Sequence, residues 1–167
     1  MANKKDKTQT IPAPTAPLLS WDIFMDSYHK TLALADDFRH LNQLSKKYAW
    51  KKEWDIEEKL FRQQQVILVT DLTLHIVYAS SNIIVMNGYA PNEVIGHTPA
   101  MFQGEETDAF TKAVIREAVN RLQPFQTNII NYRKDGSVYD CSIEAFPVFN
   151  SNKKPVHFIA FEKEKSQ

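Results

Sequence analysis

The sequence predicts an α+β fold, and three observations carry that reading. Two compact apolar runs, Val66–Thr70 and Ile76–Ala79, read as strands. Three longer strand-like runs close the chain, from Phe125 to Glu162. Between the two groups lies a helical stretch punctuated by glycine. Strands clustered on either side of a helical middle argue against a βαβ repeat and for α+β.

Residues 1–17 hold Lys4, Lys5 and Lys7 with Pro12, Pro14 and Pro17. That composition cannot bury a core, so a disordered tail is expected. Residues 18–64 read as a helical extension. Trp21, Phe24, Met25, Tyr28, Leu32, Ala35, Phe38, Leu41 and Leu44 recur three or four apart, which predicts one long amphipathic helix to about Lys47. Asp55 followed by Glu58 resembles a capping box and predicts a shorter helix across Ile56 to Gln64. A helix from Trp21 to Lys47 is ~40 Å long, more than a small sheet can cover. Its apolar stripe then needs another partner. A second copy of the same helix gives a homodimer; folding back over Val66 to Val69 gives a monomer.

Residues 65–167 read as the folded domain. Asp71-Leu72-Thr73 turns the first strand into the second, and Ser80-Ser81-Asn82 offers caps for a short helix. Three of the chain's four glycines, Gly88, Gly96 and Gly104, fall between Met86 and Asp108 among Val94, Ile95, Met101 and Phe102. Tight turns interleaved with apolar residues build one wall of a small cavity. Thr107 or Asp108 starts a helix whose apolar positions are Phe110, Val114, Ala118 and Leu122, and Pro124 ends it. Phe125 to Tyr132 is the next strand, with Lys134-Asp135-Gly136 as a hairpin turn. Ser137 to Phe149 follows, placing Tyr139, Cys141, Ile143 and Ala145 on one face, and Val156 to Glu162 is the last strand. The cavity either takes a ligand or is filled by Met101, Phe102, Phe110 and Phe146.

Acidic and basic residues balance at 20 each, so no global field favours nucleic acid. The local lysine clusters read as solvated faces. The one cysteine, Cys141, allows no internal disulfide and reads as a small buried strand residue, which fits a reducing, cytoplasmic setting. No apolar run is long enough to span a bilayer. No histidine pair has metal-ligand spacing, and no nucleophile elbow, phosphate loop or dinucleotide fingerprint occurs. These readings exclude membrane and nucleic-acid partners and predict neither metal nor catalytic residues.

Three further segments carry a family resemblance. They are Asn87-Gly88-Tyr89 with Pro91-Asn92-Glu93-Val94-Ile95-Gly96, then Phe102-Gln103-Gly104-Glu105-Glu106-Thr107-Asp108, then Asn131-Tyr132-Arg133-Lys134-Asp135-Gly136. Together with Phe158-Ile159-Ala160-Phe161 they resemble the PAS family and, within it, the flavin-binding LOV branch. The resemblance covers about Val66 to Lys163. It implies a five-stranded antiparallel sheet with helices on one face, and a site of four residues. Gln103 and Asn131 match flavin-contacting amides. Cys141 stands where the family has a second asparagine, and Glu162 where it has a glutamine. Pro99 stands at the position of the photoactive cysteine, Ala100 at that of a phosphate-pairing arginine, and Thr98 replaces an asparagine. The resemblance therefore implies a non-catalytic sensory or interaction module in signal transduction, acting by dimerisation or through a separate signalling protein, with no cofactor. The alternative is a cysteine-less photosensor or redox sensor holding FMN or FAD.

Overall fold

In the computed structural model the described residues are 18–51 and 54–165; the tail expected at 1–17 lies outside them. A 30-residue helix, α1 (Leu18–Lys47), leads through a π-helical turn (Glu58–Arg62) into β1 (Val66–Thr70) and β2 (Ile76–Ala79). Then come α2 (Ile83–Asn87), α3 (Pro91–Val94), a 3-10 turn (Pro99–Phe102) and α4 (Ala109–Asn120). The chain closes with β3 (Phe125–Tyr132), β4 (Val138–Phe149) and β5 (Pro155–Glu164). All strand pairs are antiparallel, in the order β2-β1-β5-β4-β3. The β3–β4 hairpin turns where Lys134-Asp135-Gly136 predicts it. Gly136 takes φ +86°, and the Asp135 carboxylate accepts from the Ser137 N–H at 2.9 Å.

Helices cover both faces of this sheet, not one. All five residues of β1 are buried. Val66 and Leu68 point into a core shared with Ile83, Val94, Phe102 and Ile129. Ile67 and Val69 point the other way, into a core with Leu41, Ile56, Leu60 and Phe161. A continuous apolar run without alternation is what a strand covered on both faces requires. The second cover is the helical extension itself. The C-terminal half of α1 packs Leu34, Phe38, Leu41 and Leu44 on this outer core. The N-terminal half runs past the sheet, with Trp21 64% and Phe24 60% exposed and their rings 6.0 Å apart. The long stripe thus divides: its second half folds back on the sheet, as one of the two expectations had it.

A buried carboxylate holds α1 in place. Asp37 accepts from Tyr78 Oη at 2.7 Å, from the Ser81 N–H at 2.8 Å and from Ser81 Oγ at 2.6 Å. Burial and the neighbouring Asp37 charge push the Tyr78 phenol up, so it stays a donor. Further along, Trp50 Nε1 donates to His157 Nδ1 at 3.1 Å, and burial holds His157 below its ordinary value. These bonds tie the outer layer to β2 and β5.

The expected inward face of α4 is corrected. Phe110 is 76% exposed, and Val114 and Leu122 are exposed as well. The α4 positions that line the cavity are Lys112, Ile115, Arg116, Val119 and Asn120. The i, i+4 rule locates an apolar stripe, but here the helix spans a cavity and presents a mixed face to it. Loss of the Asp37 latch tests the outer layer. Asp37→Ala leaves three donors at Tyr78 and Ser81 without their acceptor, so the urea midpoint should fall by an amount worth about 2–4 kcal/mol. An unchanged midpoint would contradict the role given to Asp37.

Candidate functional site

Between α4 and the inner face of the sheet lies a cavity of about 330 Å³. That volume is in the range of small-molecule sites, roughly 300–1,000 Å³. Sequence builds each wall in turn. The Thr98-to-Gln103 loop forms one side, started by Pro99 at the first position of its 3-10 turn, where a missing N–H is harmless. Gly104 follows because a Cβ there would come within 2.4 Å of the Tyr132 ring. Thr107 then ties the loop to β3, its hydroxyl donating to the Ile130 carbonyl at 2.7 Å. Asp108 caps α4 by accepting from the Thr111 N–H at 2.6 Å. Leu68, Ile129, Ile143 and Ala160 supply an apolar floor.

Three of the four sequence-predicted site residues meet here. Gln103, Asn131 and Glu162 line the cavity, together with Pro99 and Ala100. Cys141 does not line it. Its side chain is fully buried in the inner core, as the reading of a small structural residue expects, and its Sγ lies 3.8 Å from Glu162 Oε2. Burial pushes the Cys141 thiol well up, with the nearby Glu162 charge adding to it, so it is no nucleophile. The filled-cavity alternative does not hold as stated. Phe102 lines the wall, but Phe110 faces outward and Phe146 belongs to the outer core.

The chemistry of the cavity is uneven from one side to the other. Glu162 is 4% exposed, and among the described residues the weak thiol donor of Cys141 is its one hydrogen-bond partner. Desolvation raises its carboxyl to about 7, against an ordinary 4.5. Thr70 also lines the cavity, and its buried hydroxyl has no protein partner. The buried Tyr139 hydroxyl and Asn87 Nδ2 lie close to one another beside Asn131, without a hydrogen bond of good geometry among the described residues. From α4 come two cations, Lys112 and Arg116, which enter no ion pair among the described residues. Sequence reading missed both because it assigned α4's inner face to the wrong stripe. The available signal was a basic i, i+4 pair interleaved with Ile115 and Val119. No group of three or more metal-ligating side chains occurs among the described residues, and no helix there is long and apolar enough to cross a membrane.

A sheet in this strand order, with one helix spanning a polar-lined cavity, defines a small sensory-domain fold. Residues 64–167 match the PAS domain family, and the chain belongs to it. It is similar to Phototropin-2 of Oryza sativa subsp. japonica, at 35% identity over 116 residues, 68% of this chain and 13% of that protein. It is also similar to a blue-light-activated histidine kinase of Brucella ovis, at 32% identity over 85 residues, 51% of this chain and 17% of that protein. A light-oxygen-voltage domain solved with a flavin analogue superposes with a TM-score of 0.62 at 26% identity, covering 69% of this chain and 87% of that one. These likenesses place residues 64–167 on the LOV-like side of a family of sensory modules. The chain spans less than a fifth of the length of the two curated relatives.

The Glu162 carboxyl gives a pH signature. Below pH 4.5 it is protonated folded or unfolded, and its contribution to stability is complete. As pH rises from 4.5 through about 7, the unfolded chain releases the proton first, so stability is lost. The whole step is worth roughly 3 kcal/mol. His157 acts with the opposite sign and is common to wild type and variant. Glu162→Gln should therefore flatten the stability difference across this window and gain on wild type above it. Parallel stability–pH curves for the two proteins would contradict a buried, unpaired Glu162.

Proposed function

We propose that this chain is a non-catalytic PAS sensory module. It holds a small planar molecule between α4 and the sheet and transmits occupancy to another protein or to a second copy of itself. One observation carries the reading. A cavity of about 330 Å³ is lined by a buried carboxyl, three amides and two cations, beneath a helix with no buried residue of its own. An occupant would complete the packing of α4 and so bias the equilibrium between two packings of the module. Phe161, next to Glu162 on β5, faces the outer core against Trp54 and Phe146. That strand therefore joins the cavity to the layer containing α1. Native mass spectrometry of the full chain tests the proposal. The expected result is a mass above that of the polypeptide that disappears on denaturation. Bare polypeptide with no probe-induced stabilisation would contradict it.

A second reading is the non-covalent flavin site of a photosensor or redox sensor. Gln103 and Asn131 support it, with Arg116 and Lys112 placed to meet a phosphate that Ala100 cannot. Pro99 does not fit thiol adduct chemistry. FMN, when bound, would supply colour and one- or two-electron redox chemistry. This chain would hold the ring over the apolar floor and the phosphate at α4. A colourless protein that does not bind added FMN would exclude this reading.

The N-terminal half of α1 is proposed as the dimerisation surface. Trp21, Phe24, Tyr28 and Leu32 are exposed along one helix, with adjacent rings 6.0 and 6.4 Å apart. Burial of each such side chain stabilises by roughly 1.5–3 kcal/mol. Sedimentation at micromolar concentration should give a dimer. Phe24→Asp with Leu32→Asp should give a monomer whose domain at residues 65–165 stays folded, because neither residue belongs to the outer core. A monomeric wild type would refute the dimer.

A further inference from the structure

We infer that β3 is a pairing edge: two copies of this chain join β3 to β3, antiparallel, about a two-fold axis at Thr127. The contact is separate from the α1 surface and does not depend on the cavity.

The sheet ends on β2 at one side and on β3 at the other. The β2 edge is closed by its own chain. The Ile76 N–H donates to the His97 carbonyl and the Gly96 N–H to the Ile76 carbonyl, both at 2.8 Å. The first half of β3 has no such cover. Its ladder with β4 runs from Phe125 opposite Ala145 to Tyr132 opposite Val138. The next pair, in which the Arg133 N–H donates to the Ser137 carbonyl, fixes the alternation. Odd-numbered residues of β3 bond to β4, and even-numbered ones turn N–H and C=O outward. The Ile130 carbonyl obeys this rule and accepts from Thr107 Oγ1 at 2.7 Å. Gln126 and Asn128 are exposed, and among the described residues their main-chain groups bond to no other strand or loop. The Asn128 carbonyl takes a long 3.3 Å bond from Thr127 Oγ1, which leaves it a second lone pair.

Open strand edges are normally blunted by lysine, proline or a bulge. Phe125-Gln126-Thr127-Asn128-Ile129-Ile130-Asn131-Tyr132 has no charge, no proline and no register shift against β4. Nothing in it repels a second copy.

Two groups choose the register. Pro124, just before the strand, has no N–H, and the Ile130 carbonyl is already taken. Pairing about Thr127 sets these two opposite one another, so neither leaves a partner unmet. Gln126 then faces the second copy's Asn128, and each donates its N–H to the other's carbonyl. Thr127 meets Thr127, a favourable cross-strand pair. Shifted by two residues one way, the Gln126 N–H meets the occupied Ile130 carbonyl. Shifted the other way, the Asn128 carbonyl meets Pro124 and finds no donor. The match is self-complementary, as a two-fold contact requires. One short strand falls well below the ~1,200–2,000 Å² of stable interfaces, so the contact populates far above micromolar concentration and links α1 pairs rather than replacing them.

The full chain carrying Phe24→Asp and Leu32→Asp isolates the edge. Amide exchange would be followed by NMR at roughly 20 μM and roughly 1 mM. Gln126, Asn128 and Ile130 should slow by about twofold or more at the higher concentration, while Thr127 and Ile129, already bonded to β4, stay unchanged. Asn128→Pro withdraws an N–H that β4 does not use and should abolish the effect. If that variant does not fold, Thr127→Lys serves, because it sets like charges face to face on the axis. Register is read separately with oxidised glutathione. Thr127→Cys should form a disulfide-linked dimer, its Cα atoms ~4.5 Å apart across the axis. Asn128→Cys should not, because it is offset by two residues from its own copy, ~8 Å away. Exchange indifferent to concentration overturns the inference, and so does equal slowing of odd and even residues. Full protection already at the low concentration means that a segment of the same chain occupies the edge, which also overturns it. Cross-linking of Asn128→Cys as readily as Thr127→Cys refutes the register.

Discussion

The central strands of this sheet carry apolar side chains in both directions, and that constraint governs everything built around them. β1 is buried along its whole length, and Phe161 and Ile159 on β5 point away from the cavity as firmly as Ala160 and Glu162 point toward it. Neither face can be left to water. The outer face is closed tightly by α1 and the π-helical turn, with Asp37 and Trp50 as polar fixings. The inner face is closed by short helices and by α4, and α4 closes it over a cavity. The two layers differ in kind: one is a packed core, the other a partial lid with polar groups beneath it.

This asymmetry gives the module a direction. Three of the four buried polar atoms without a hydrogen bond among the described residues, Thr70 Oγ1, Tyr139 Oη and Asn87 Nδ2, lie on the inner side; the fourth is Gln65 Oε1. Buried polar atoms of this sort are costly unless something pairs with them. The outer side is instead rich in satisfied contacts, such as Lys59 Nζ with Glu144 Oε2 at 2.7 Å. A change inside the cavity alters the less settled face, and β5, like β1, contributes side chains to both faces.

Much of the fold was legible in the residues. The succession of elements along the chain, the Gly136 hairpin and the Asp108 start of α4 followed from local patterns that tertiary contacts did not override. The buried role of Cys141 followed from its place among apolar alternating neighbours. The inner face of α4 was not legible, since periodicity finds an apolar stripe without saying what it faces, and here Phe110 faces water. Nor was Asp37, because an acid within an amphipathic helix reads as solvated until its long-range partners, Tyr78 and Ser81, are in place. The unbroken Val66-to-Thr70 run did signal burial on both faces, although helices were expected on one. Of the site, Gln103, Asn131 and Glu162 were placed by resemblance, whereas Thr70, Lys112 and Arg116 emerged only from the geometry.

Hydrogen exchange along α4 tests most directly whether the cavity is a ligand site on which that helix depends. Full-length protein purified gently would be compared with the same protein unfolded, dialysed and refolded without small molecules. The account predicts that residues 109–120 exchange faster in the stripped protein, while β1, β5 and residues 34–44 of α1 keep their protection. Equal protection of α4 in both preparations would contradict it.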